Sequence, residues 1–524
     1  MQYRGLANVP FLRLTPALLP VLFLISSIIP FAAMPAHGAD DQVQKLIKQS
    51  VKLTRRGELT EAEKLLRRAV EMDANRSDSK VELAWVLAKQ RRLDEAYKIV
   101  FEIAKAEPKN ARAFSVLGAT LLSAGRFKDA RRIFYNALVL DKKEHLAWAG
   151  YGMLDFYENN IAESLENLSE AVYRNSDEPD YVFVLAQVSA RAERYREAAD
   201  NYERFLRISS ITDKDRRARI RGLINFLRFL GQNNALYVSQ GSDHASVPFE
   251  LVGNRPIIKL RVNDKAEDLR FVLDTGSGIT VVSEETAKRL NIKHITKGGF
   301  ARGIGGDGKF EIVYGLLRAV RIGGVELKNV PVYIRKFHND GGKPADGYIG
   351  LALISKFLTT IDYGNQTFSL TKKEADTRVF RESKEISLPL RLTSSGFLSG
   401  EVELEGIDGP LNFIVDTGAS VSVISQRVAQ VDAVSKFENA EKYRVIGSAG
   451  ISDDVRTFLL PRVTFGQHTR TGIMAVALDL DLINEASGFE QSGILGGNFL
   501  KNYRLTFDFK NSKVTFASVR TEND

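Results

Sequence analysis

One segment of this sequence occurs twice, and its two copies constrain the fold more than any other feature. FVLDTGSGITVVS begins at Phe271, and FIVDTGASVSVIS begins at Phe413. Each copy is a hydrophobic run that enters Asp-Thr-Gly and continues into β-branched residues, which predicts a strand, a tight turn and a second strand. The two aspartates, Asp274 and Asp416, are 142 residues apart. A repeat of this length predicts two copies of one small β unit.

The rest of the two units keeps the same order and spacing. Gly305 in RGIGGDG and Gly447 in RVIGSAG each lie 31 residues after their aspartate. Gly350 in DGYIGLAL and Gly496 in SGILGGNFL each lie 12 residues before a later aspartate. Short apolar runs separated by Gly, Asn and Asp turns fill the intervals, as in an all-β domain. The shared spacing indicates a tandem duplication.

Each unit resembles a retropepsin-type aspartic peptidase subunit, over about residues 247–372 and 387–518. The resemblance implies one site between two lobes, with catalytic Asp274 and Asp416 and the supporting residues Thr275, Gly276, Ser277, Thr417, Gly418 and Ala419. It implies two flap hairpins, with tips at Gly303, Ile304, Gly305 and Gly306 and at Ile446, Gly447 and Gly450. It also implies that the threonines lock the two loops together and that Gly350 and Gly496 pack beneath them.

The chemistry of peptide hydrolysis explains why two aspartates are needed. The reaction requires a base that activates water and an acid that protonates the carbonyl oxygen or the leaving amine. Two carboxyl groups about 3 Å apart cannot both ionise, so they share one proton and supply both functions. We therefore expect an aspartic-type endopeptidase that acts on a protein or peptide substrate, with no cofactor and no metal.

The two copies differ directly after the motif, where Ser277 corresponds to Ala419. A hydroxyl that donates to a carboxylate stabilises the ionised form and lowers its pKa. The sequence therefore predicts that Asp274 has the lower pKa of the pair, with a turn residue as the alternative role of Ser277.

Upstream of the two units, the sequence repeats every 34 residues. Small residues recur at one position of each repeat: Ala62, Ala96, Ala130, Ser164 and Ala198. Paired helices need small side chains where they cross closely. Over about residues 43–212 the pattern resembles the tetratricopeptide repeat, with five repeats followed by a capping helix in RRARIRGLINFLRFLGQ. The resemblance implies a concave surface for a peptide or a partner protein, and a spacer or internal brace is the alternative.

Together these features predict an all-α tetratricopeptide solenoid followed by an all-β bilobal aspartic peptidase. The expected order is a signal peptide at 1–39, the repeat array at 40–232, a linker at 233–246, lobe 1 at 247–372, an inter-lobe linker at 373–386 and lobe 2 at 387–524.

The first 39 residues differ from the rest of the chain. Two arginines precede an apolar stretch from Ala17 to Met34, and small residues follow it. This order predicts a secretory signal cleaved after Gly38 or Ala39, with an uncleaved membrane anchor as the alternative. No later segment is apolar enough to span a membrane. We expect an exported protein, in the periplasm or cell envelope of a bacterium or otherwise secreted.

Other functions have weaker support in the sequence. The net charge of +8, from 73 basic and 65 acidic residues, is spread along the chain and does not predict nucleic-acid binding. The chain has no cysteine and no HExxH, so thiol chemistry and a zinc hydrolase are not expected. GIGGDG satisfies a dinucleotide-binding pattern, but a strand-like segment follows it where a nucleotide site needs a helix.

Two alternatives to a single-chain enzyme stay open at this point. The lobes could form an inactive scaffold that carries a repeat-based interaction module. A homodimer could also pair like lobes from two chains. Both complete Asp-Thr-Gly motifs favour an active site shared by the two lobes of one chain.

Overall fold

The computed structural model describes residues 36–211, 213–232, 235–338, 343–373 and 386–519. Most of the predicted signal lies outside these residues. The described chain begins with an array of helices: α1 (Ala36–Arg55), α2 (Leu59–Met72), α3 (Ser77–Lys89), α4 (Leu93–Ala106), α5 (Ala111–Ser123), α6 (Phe127–Leu140), α7 (His145–Tyr157), α8 (Ile161–Arg174), α9 (Pro179–Arg191), α10 (Tyr195–Ile208) and α11 (Lys214–Gln232). Helices α1 to α10 form pairs, and α11 follows them alone. The predicted helical array is confirmed.

The 34-residue period reflects close packing between the helices of each pair. The recurring small residues, from Ala62 to Ala198, are fully buried. Ser164 fits this position because its hydroxyl donates to the Gly152 carbonyl, at 2.7 Å. A Cβ at Gly118 would lie 2.7 Å from the Phe134 ring, so the glycine leaves room for that ring.

The turn inside each helix pair also follows the period. One residue of every turn has a left-handed backbone: Gly57, Arg91, Gly125, Asn159 and Glu193, with φ between +61° and +76°. A left-handed residue ends a helix and satisfies its last carbonyls, and glycine and asparagine adopt this conformation with least strain. Each repeat therefore reverses the chain by the same turn, whatever side chain occupies it.

Lobe 1 is built from strands β1 to β11 and two short helices. Their bounds are β1 (Val238–Gly241), β2 (His244–Val252), β3 (Arg255–Val262), β4 (Leu269–Leu273), β5 (Thr280–Ser283), α12 (Glu284–Arg289), β6 (His294–Arg302), β7 (Lys309–Ile322), β8 (Val325–Arg335), β9 (Gly347–Ile349), α13 (Leu351–Ile354), β10 (Phe357–Asp362) and β11 (Thr367–Lys372). Strand β9 pairs parallel with β4 and antiparallel with β5, and β5 pairs parallel with β8. This crossed arrangement places the β4–β5 loop at the centre of the lobe.

Lobe 2 repeats this arrangement with its own elements. They are β12 (Ile386–Pro389), β13 (Arg391–Leu392), β14 (Leu398–Leu404), β15 (Leu411–Val415), β16 (Ser422–Ser425), α14 (Gln426–Ala429), α15 (Asp432–Ser435), β17 (Glu438–Ile446), β18 (Ile451–Phe465), β19 (His468–Leu478), α16 (Asp481–Ser487), β20 (Gly493–Leu495), α17 (Gly497–Leu500), β21 (Tyr503–Asp508) and β22 (Lys513–Ser518). Strand β20 pairs with β15 and β16 as β9 does with β4 and β5. The predicted all-β bilobal fold is confirmed.

A sheet shared by both lobes joins them into one body. Its strand order is β12-β22-β21-β10-β11-β2, with three strands from each lobe. At the centre, β10 pairs antiparallel with β21, and Thr360 lies opposite Thr506. The backbone hydrogen bonds of this pairing fix the position of one lobe relative to the other.

Part of the predicted linker at 233–246 is strand. Strand β1 pairs with β8, and β2, from His244, pairs with β11. Exposed and buried side chains alternate along β2, from the exposed His244 to the buried Ala245, so its polar residues face outward while its backbone groups pair with neighbouring strands. Most of the predicted inter-lobe linker, residues 374–385, lies outside the described residues.

The helical array packs directly on the peptidase lobes. In α11, Phe226 stacks on Tyr314 of β7 with ring centroids 4.3 Å apart. Gly222 lies against the Lys297 carbonyl of β6, where a Cβ would overlap the oxygen. On lobe 2, the fully buried Phe489 packs against the Phe127 ring of α6 with centroids 4.9 Å apart. The array therefore touches a hairpin of lobe 1 and a loop of lobe 2.

Hydrogen bonds from one arginine reinforce this interface. The Arg191 guanidinium, at the end of α9, donates to the Thr393 carbonyl of lobe 2 at 2.8 Å and to the Phe156 carbonyl of the array at 3.2 Å. Its guanidinium carbon also lies over the Phe156 ring, 3.8 Å from the centroid.

Within the described residues, no helix is both long and apolar enough to cross a membrane.

Candidate active site

The two aspartates lie at the ends of equivalent strands. Asp274 follows β4, and its amide donates to the Ile349 carbonyl at 3.0 Å. Asp416 follows β15, and its amide donates to the Leu495 carbonyl at the same distance. Each loop is thus held by the strand beside it, and the shared sheet brings the two loops together.

The threonines after the aspartates lock the loops to each other. The Thr275 hydroxyl donates to the Val415 carbonyl at 2.6 Å and accepts from the Thr417 amide at 3.1 Å. The Thr417 hydroxyl donates to the Leu273 carbonyl at 2.7 Å and accepts from the Thr275 amide at 3.2 Å. Both threonines are fully buried. Four hydrogen bonds therefore connect the two loops in a two-fold symmetric arrangement.

The glycines bring backbone amides to the carboxylates. The Gly276 amide donates to Asp274 at 2.9 Å, and the Gly418 amide donates to Asp416 at 2.7 Å. Each glycine also faces the opposite aspartate: a Cβ at Gly418 would lie 2.7 Å from the Asp274 carboxyl carbon, and one at Gly276 would overlap the Asp416 carboxyl. Any larger residue would push the carboxyl groups apart.

The two carboxyl groups titrate as a pair with unequal members. Burial raises the pKa of Asp416 well above its usual value, and the charge of Asp274 raises it further. Burial also raises the pKa of Asp274, but hydrogen bonds from Ser277, Asp416 and the Gly276 amide oppose this rise. Both pKa values are therefore raised, that of Asp416 more strongly than that of Asp274.

Ser277 is the side chain that distinguishes the two loops. Its hydroxyl donates to the second carboxylate oxygen of Asp274 at 2.6 Å. Ala419, at the equivalent position of lobe 2, has no side-chain hydroxyl and can donate to Asp416 only from its backbone amide. The predicted effect of Ser277 on the pKa of Asp274 has this contact as its physical basis.

Gly350 and Gly496 lie beneath the loops. A Cβ at Gly350 would lie 2.5 Å from the Ile279 carbonyl, and one at Gly496 would lie 2.6 Å from the Val421 carbonyl. The Gly496 amide is also held within lobe 2, because it donates to the Ser422 hydroxyl at 3.1 Å. Both glycines allow the backbone to pass directly under the aspartate loops.

The two flap tips contact each other and line the same cavity as the aspartates. Gly303, Ile304, Gly305 and Gly306 lie in the turn between β6 and β7, and Ile446, Gly447 and Gly450 lie at the turn between β17 and β18. The Ala449 amide donates to the Ile304 carbonyl at 2.8 Å, and the Gly306 amide donates to the Ile451 carbonyl at 3.3 Å. Because β7 follows GIGGDG, that segment does not begin a helix.

A cavity of about 2060 Å³ extends from the aspartates into the array. Asp274 and Asp416 line one part of it, and Trp85 and Tyr181, from the first helices of two repeats, line another. The array therefore forms a wall of the same space that contains the carboxyl pair.

Comparison with known families agrees with this geometry. The family model described as aspartyl protease matches residues 258–353 and 400–499, one segment in each lobe. Both lobes are aspartyl protease domains. Two models described as tetratricopeptide repeat match residues 53–119 and 152–210. The aspartyl protease segments contain Asp274 and Asp416, and the repeat segments lie within the helical array.

Several solved structures match part of this chain. They include a thermophilic TPR protein from Thermus thermophilus, with 18% identity over 35% of this chain and 98% of that chain and a TM-score of 0.30. Pseudomonas aeruginosa pilF has 18% identity over 37% of this chain and 88% of that chain, with a TM-score of 0.28. MamA from Desulfovibrio magneticus has 19% identity over 32% of this chain and 95% of that chain, with a TM-score of 0.23. A search of curated proteins found no match.

One residue near the two aspartates has no counterpart among the sequence predictions. Arg335, at the end of β8, lines the cavity and donates from Nη1 to the Ser448 carbonyl on the flap of lobe 2, at 3.0 Å. It belongs to no motif. Comparing the two copies at matched strand positions would have identified it, because lobe 2 has Leu478 there.

Proposed function

We propose that this chain is an aspartic endopeptidase in which one chain supplies both catalytic aspartates. The observation that carries the proposal is the set of four reciprocal threonine hydrogen bonds, which hold two complete Asp-Thr-Gly loops against each other. A structural duplication could keep its strands without keeping this lock. The unequal pKa shifts of the two carboxyl groups add the acid and the base that peptide hydrolysis requires.

The proposed mechanism uses each aspartate for one proton transfer. Asp274, ionised, takes a proton from the attacking water, and Asp416, protonated, donates its proton to the carbonyl oxygen as the new C–O bond forms. In the second step the tetrahedral carbon returns to a carbonyl, its C–N bond breaks, and the proton held by Asp274 goes to the leaving amine. The proton that Asp416 gave to the carbonyl oxygen returns to Asp416, which restores the starting state. The flap tips would shield these steps from bulk solvent.

We further propose that the array holds a protein substrate beside the cleft. Trp85 and Tyr181 line the cavity that continues to the aspartates, so a polypeptide bound along the array could reach them without leaving this space. The array also contacts the flap hairpin of lobe 1 through α11. These contacts favour a shared role in substrate handling over a spacer.

Cleavage of an unbiased peptide library tests the enzymatic proposal. We expect cleavage that pepstatin inhibits and that Asp274→Asn abolishes. If the parent chain cleaves no peptide or protein over pH 3 to 8, the inactive scaffold is the better account.

The two tryptophans of the chain provide a matched test of the array. Trp85 lines the cavity, whereas Trp148 packs on the array outside it, with its ring nitrogen donating to the Lys142 carbonyl at 2.9 Å. We expect Trp85→Ala to lower kcat/KM for a protein substrate while sparing a short peptide, and Trp148→Ala to change neither. Equal effects of the two variants would contradict a role in recruitment.

We also propose that the chain is exported, in the periplasm or cell envelope of a bacterium. The two arginines, the apolar stretch and the small residues of the N-terminal segment support this location. N-terminal sequencing of the protein from fractionated cells tests it, and an intact Met1 in the cytoplasmic fraction would contradict it.

A further inference from the structure

The two walls of the catalytic cleft carry different side chains at equivalent positions. Arg335 ends β8 and lies opposite Ser283 in the parallel pairing with β5. Leu478 ends β19 and lies opposite Ser425 in the parallel pairing with β16. Because the lobes are related by an approximate two-fold axis through the aspartates, these residues occupy matching places on the two sides of the cleft. Both line the cavity that contains the carboxyl pair.

Arg335 is held in an aromatic cage. Its guanidinium carbon lies 4.9 Å from the Phe337 ring centroid, 5.1 Å from that of Phe310 and 5.8 Å from that of Tyr348. Packing of this kind fixes the orientation of the guanidinium. A fixed cation loses little conformational entropy when a ligand binds to it.

This cation has no carboxylate ion pair among the described residues. Its hydrogen bonds there all come from Nη1, to the carbonyls of Lys336 and Ser448. The remaining N–H groups, on Nε and Nη2, form a fork that can hold a carboxylate by two parallel hydrogen bonds. Burial lowers the pKa of Arg335, and the nearby Tyr348 and Asp274 offset this only in part. An additional negative charge beside it would therefore be stabilised.

The opposite wall is apolar. Leu478 packs in a cluster with Val423, Val476, Ile483 and Ile494, and the partly buried Ile304 from the flap of lobe 1 packs against it. Ile494 occupies in lobe 2 the strand position that Tyr348 occupies in lobe 1. This wall therefore offers contact area for an apolar side chain and no partner for a charge.

We propose that Arg335 is a specificity-determining residue that selects an acidic side chain, Asp or Glu, on the lobe 1 side of the cleft, while the Leu478 cluster takes an apolar side chain on the lobe 2 side. The inference rests on the proposed peptidase function, because it assigns the substrate class of that same site. It predicts peptides that have an acidic residue on one side of the scissile bond and an apolar residue on the other.

A structural role for Arg335 makes a different prediction. As a clamp on the Ser448 carbonyl alone, it would hold the flap of lobe 2 closed for every substrate. Its removal would then slow all peptides by the same factor. Recognition of a carboxylate changes only the ratio between acidic and neutral substrates, so that ratio separates the two roles.

The test uses twin peptides taken from the library sequence that the parent chain cleaves best, or that Asp416→Asn binds best if nothing is cleaved. The twins are identical except for Glu or Gln at the proposed position. Because a hydrogen-bonded charge pair is worth ~1.5 to 3 kcal/mol, we expect the parent chain to prefer Glu by about tenfold or more in kcat/KM. Arg335→Leu, which copies the lobe 2 residue, should reduce the ratio to about 1, and Arg335→Lys should keep part of it. Arg462→Leu is the matched control, because Arg462 is exposed and outside the cavity.

Binding to an inactive chain separates this inference from the proposed activity. In Asp416→Asn, the fluorescein-labelled Glu peptide should bind more tightly than its Gln twin, and adding Arg335→Leu should remove the difference. Selective binding without any cleavage by the parent chain would support the inference while refuting the peptidase. A Glu-to-Gln ratio that Arg335→Leu leaves unchanged, in cleavage or in binding, would overturn the inference, as would equal slowing of both twins.

Discussion

Replacing Thr275 by valine removes one hydroxyl from the lock between the loops and preserves the shape of the side chain. The change leaves two buried backbone groups unpaired. In the parent chain the Thr275 hydroxyl donates to the Val415 carbonyl at 2.6 Å and accepts from the Thr417 amide at 3.1 Å, and valine can do neither. An unsatisfied buried group costs ~1 to 3 kcal/mol, so the pair of loops should lose about 2 to 6 kcal/mol of local stability. Because the lock is two-fold symmetric, Thr417→Val should have a similar effect.

Hydrogen exchange measured by mass spectrometry reports this loss directly. Peptides that cover Asp274 and Asp416 should exchange at least about 30-fold faster in Thr275→Val, and cleavage should fall in parallel. Thr360→Val is the matched control: its hydroxyl lies 3.2 Å from that of Thr506 in the same inter-lobe sheet, but it leaves no backbone group unpaired. The control should change exchange only slightly. If Thr275→Val exchanges within about threefold of the parent chain, the threonines do not hold the loops together.

Three further changes test other parts of the account. Ser277→Ala removes a hydrogen-bond donor to ionised Asp274, so the pKa of that carboxyl should rise and the acidic limb of the kcat/KM profile should move to higher pH. An unmoved limb would contradict Asp274 as the base. The fold raises the pKa of Asp416, so the folded chain binds this proton more tightly than the unfolded chain and gains stability as pH falls through the raised pKa toward the ordinary value of 3.8. Because the pKa of Asp274 is raised as well, the gain should be smaller, but not absent, in Asp416→Asn, and parallel melting curves of the two proteins against pH would refute this. Gly222→Val places a side chain against the Lys297 carbonyl, so it should displace α11 from the flap hairpin and speed hydrogen exchange in β6. Unchanged hydrogen exchange in β6 would show that α11 does not hold the hairpin.

Features that repeat along the chain could be predicted from the sequence. The 34-residue spacing from Ala62 to Ala198 predicts buried crossings between helices, and these residues are fully buried. The duplicated Asp-Thr-Gly segments predict two β units because each carries its own turn and flanking strands. Local patterns suffice in both cases, since the side chains in contact recur at fixed separations.

Contacts between distant segments could not be predicted in the same way. The pairing of β10 with β21 joins residues about 146 positions apart, and neither strand carries a sign of its partner. The packing of Gly222 on the flap hairpin depends on where the array ends relative to lobe 1. The strands within the predicted linker were missed because their polar side chains resemble a loop, although their backbone groups pair with neighbouring strands.

The role of Arg335 could not be predicted from a motif. A single arginine at the end of a strand has no characteristic neighbours, and its significance comes from Leu478 at the same place in the other lobe. Aligning the copies strand by strand, beyond the Asp-Thr-Gly and flap glycines, would have revealed the difference.

The proposed function requires that Asp274 and Asp416 of one chain form one catalytic site. Asp274→Asn and Asp416→Asn, made separately in the full-length protein, test it through pepstatin-sensitive cleavage of the peptide library. We expect near-complete loss of cleavage in each variant and no recovery when the two inactive variants are mixed, because each chain contains one damaged pair. Full activity in either single variant, or activity restored by mixing, would contradict a site shared by the two lobes of one chain.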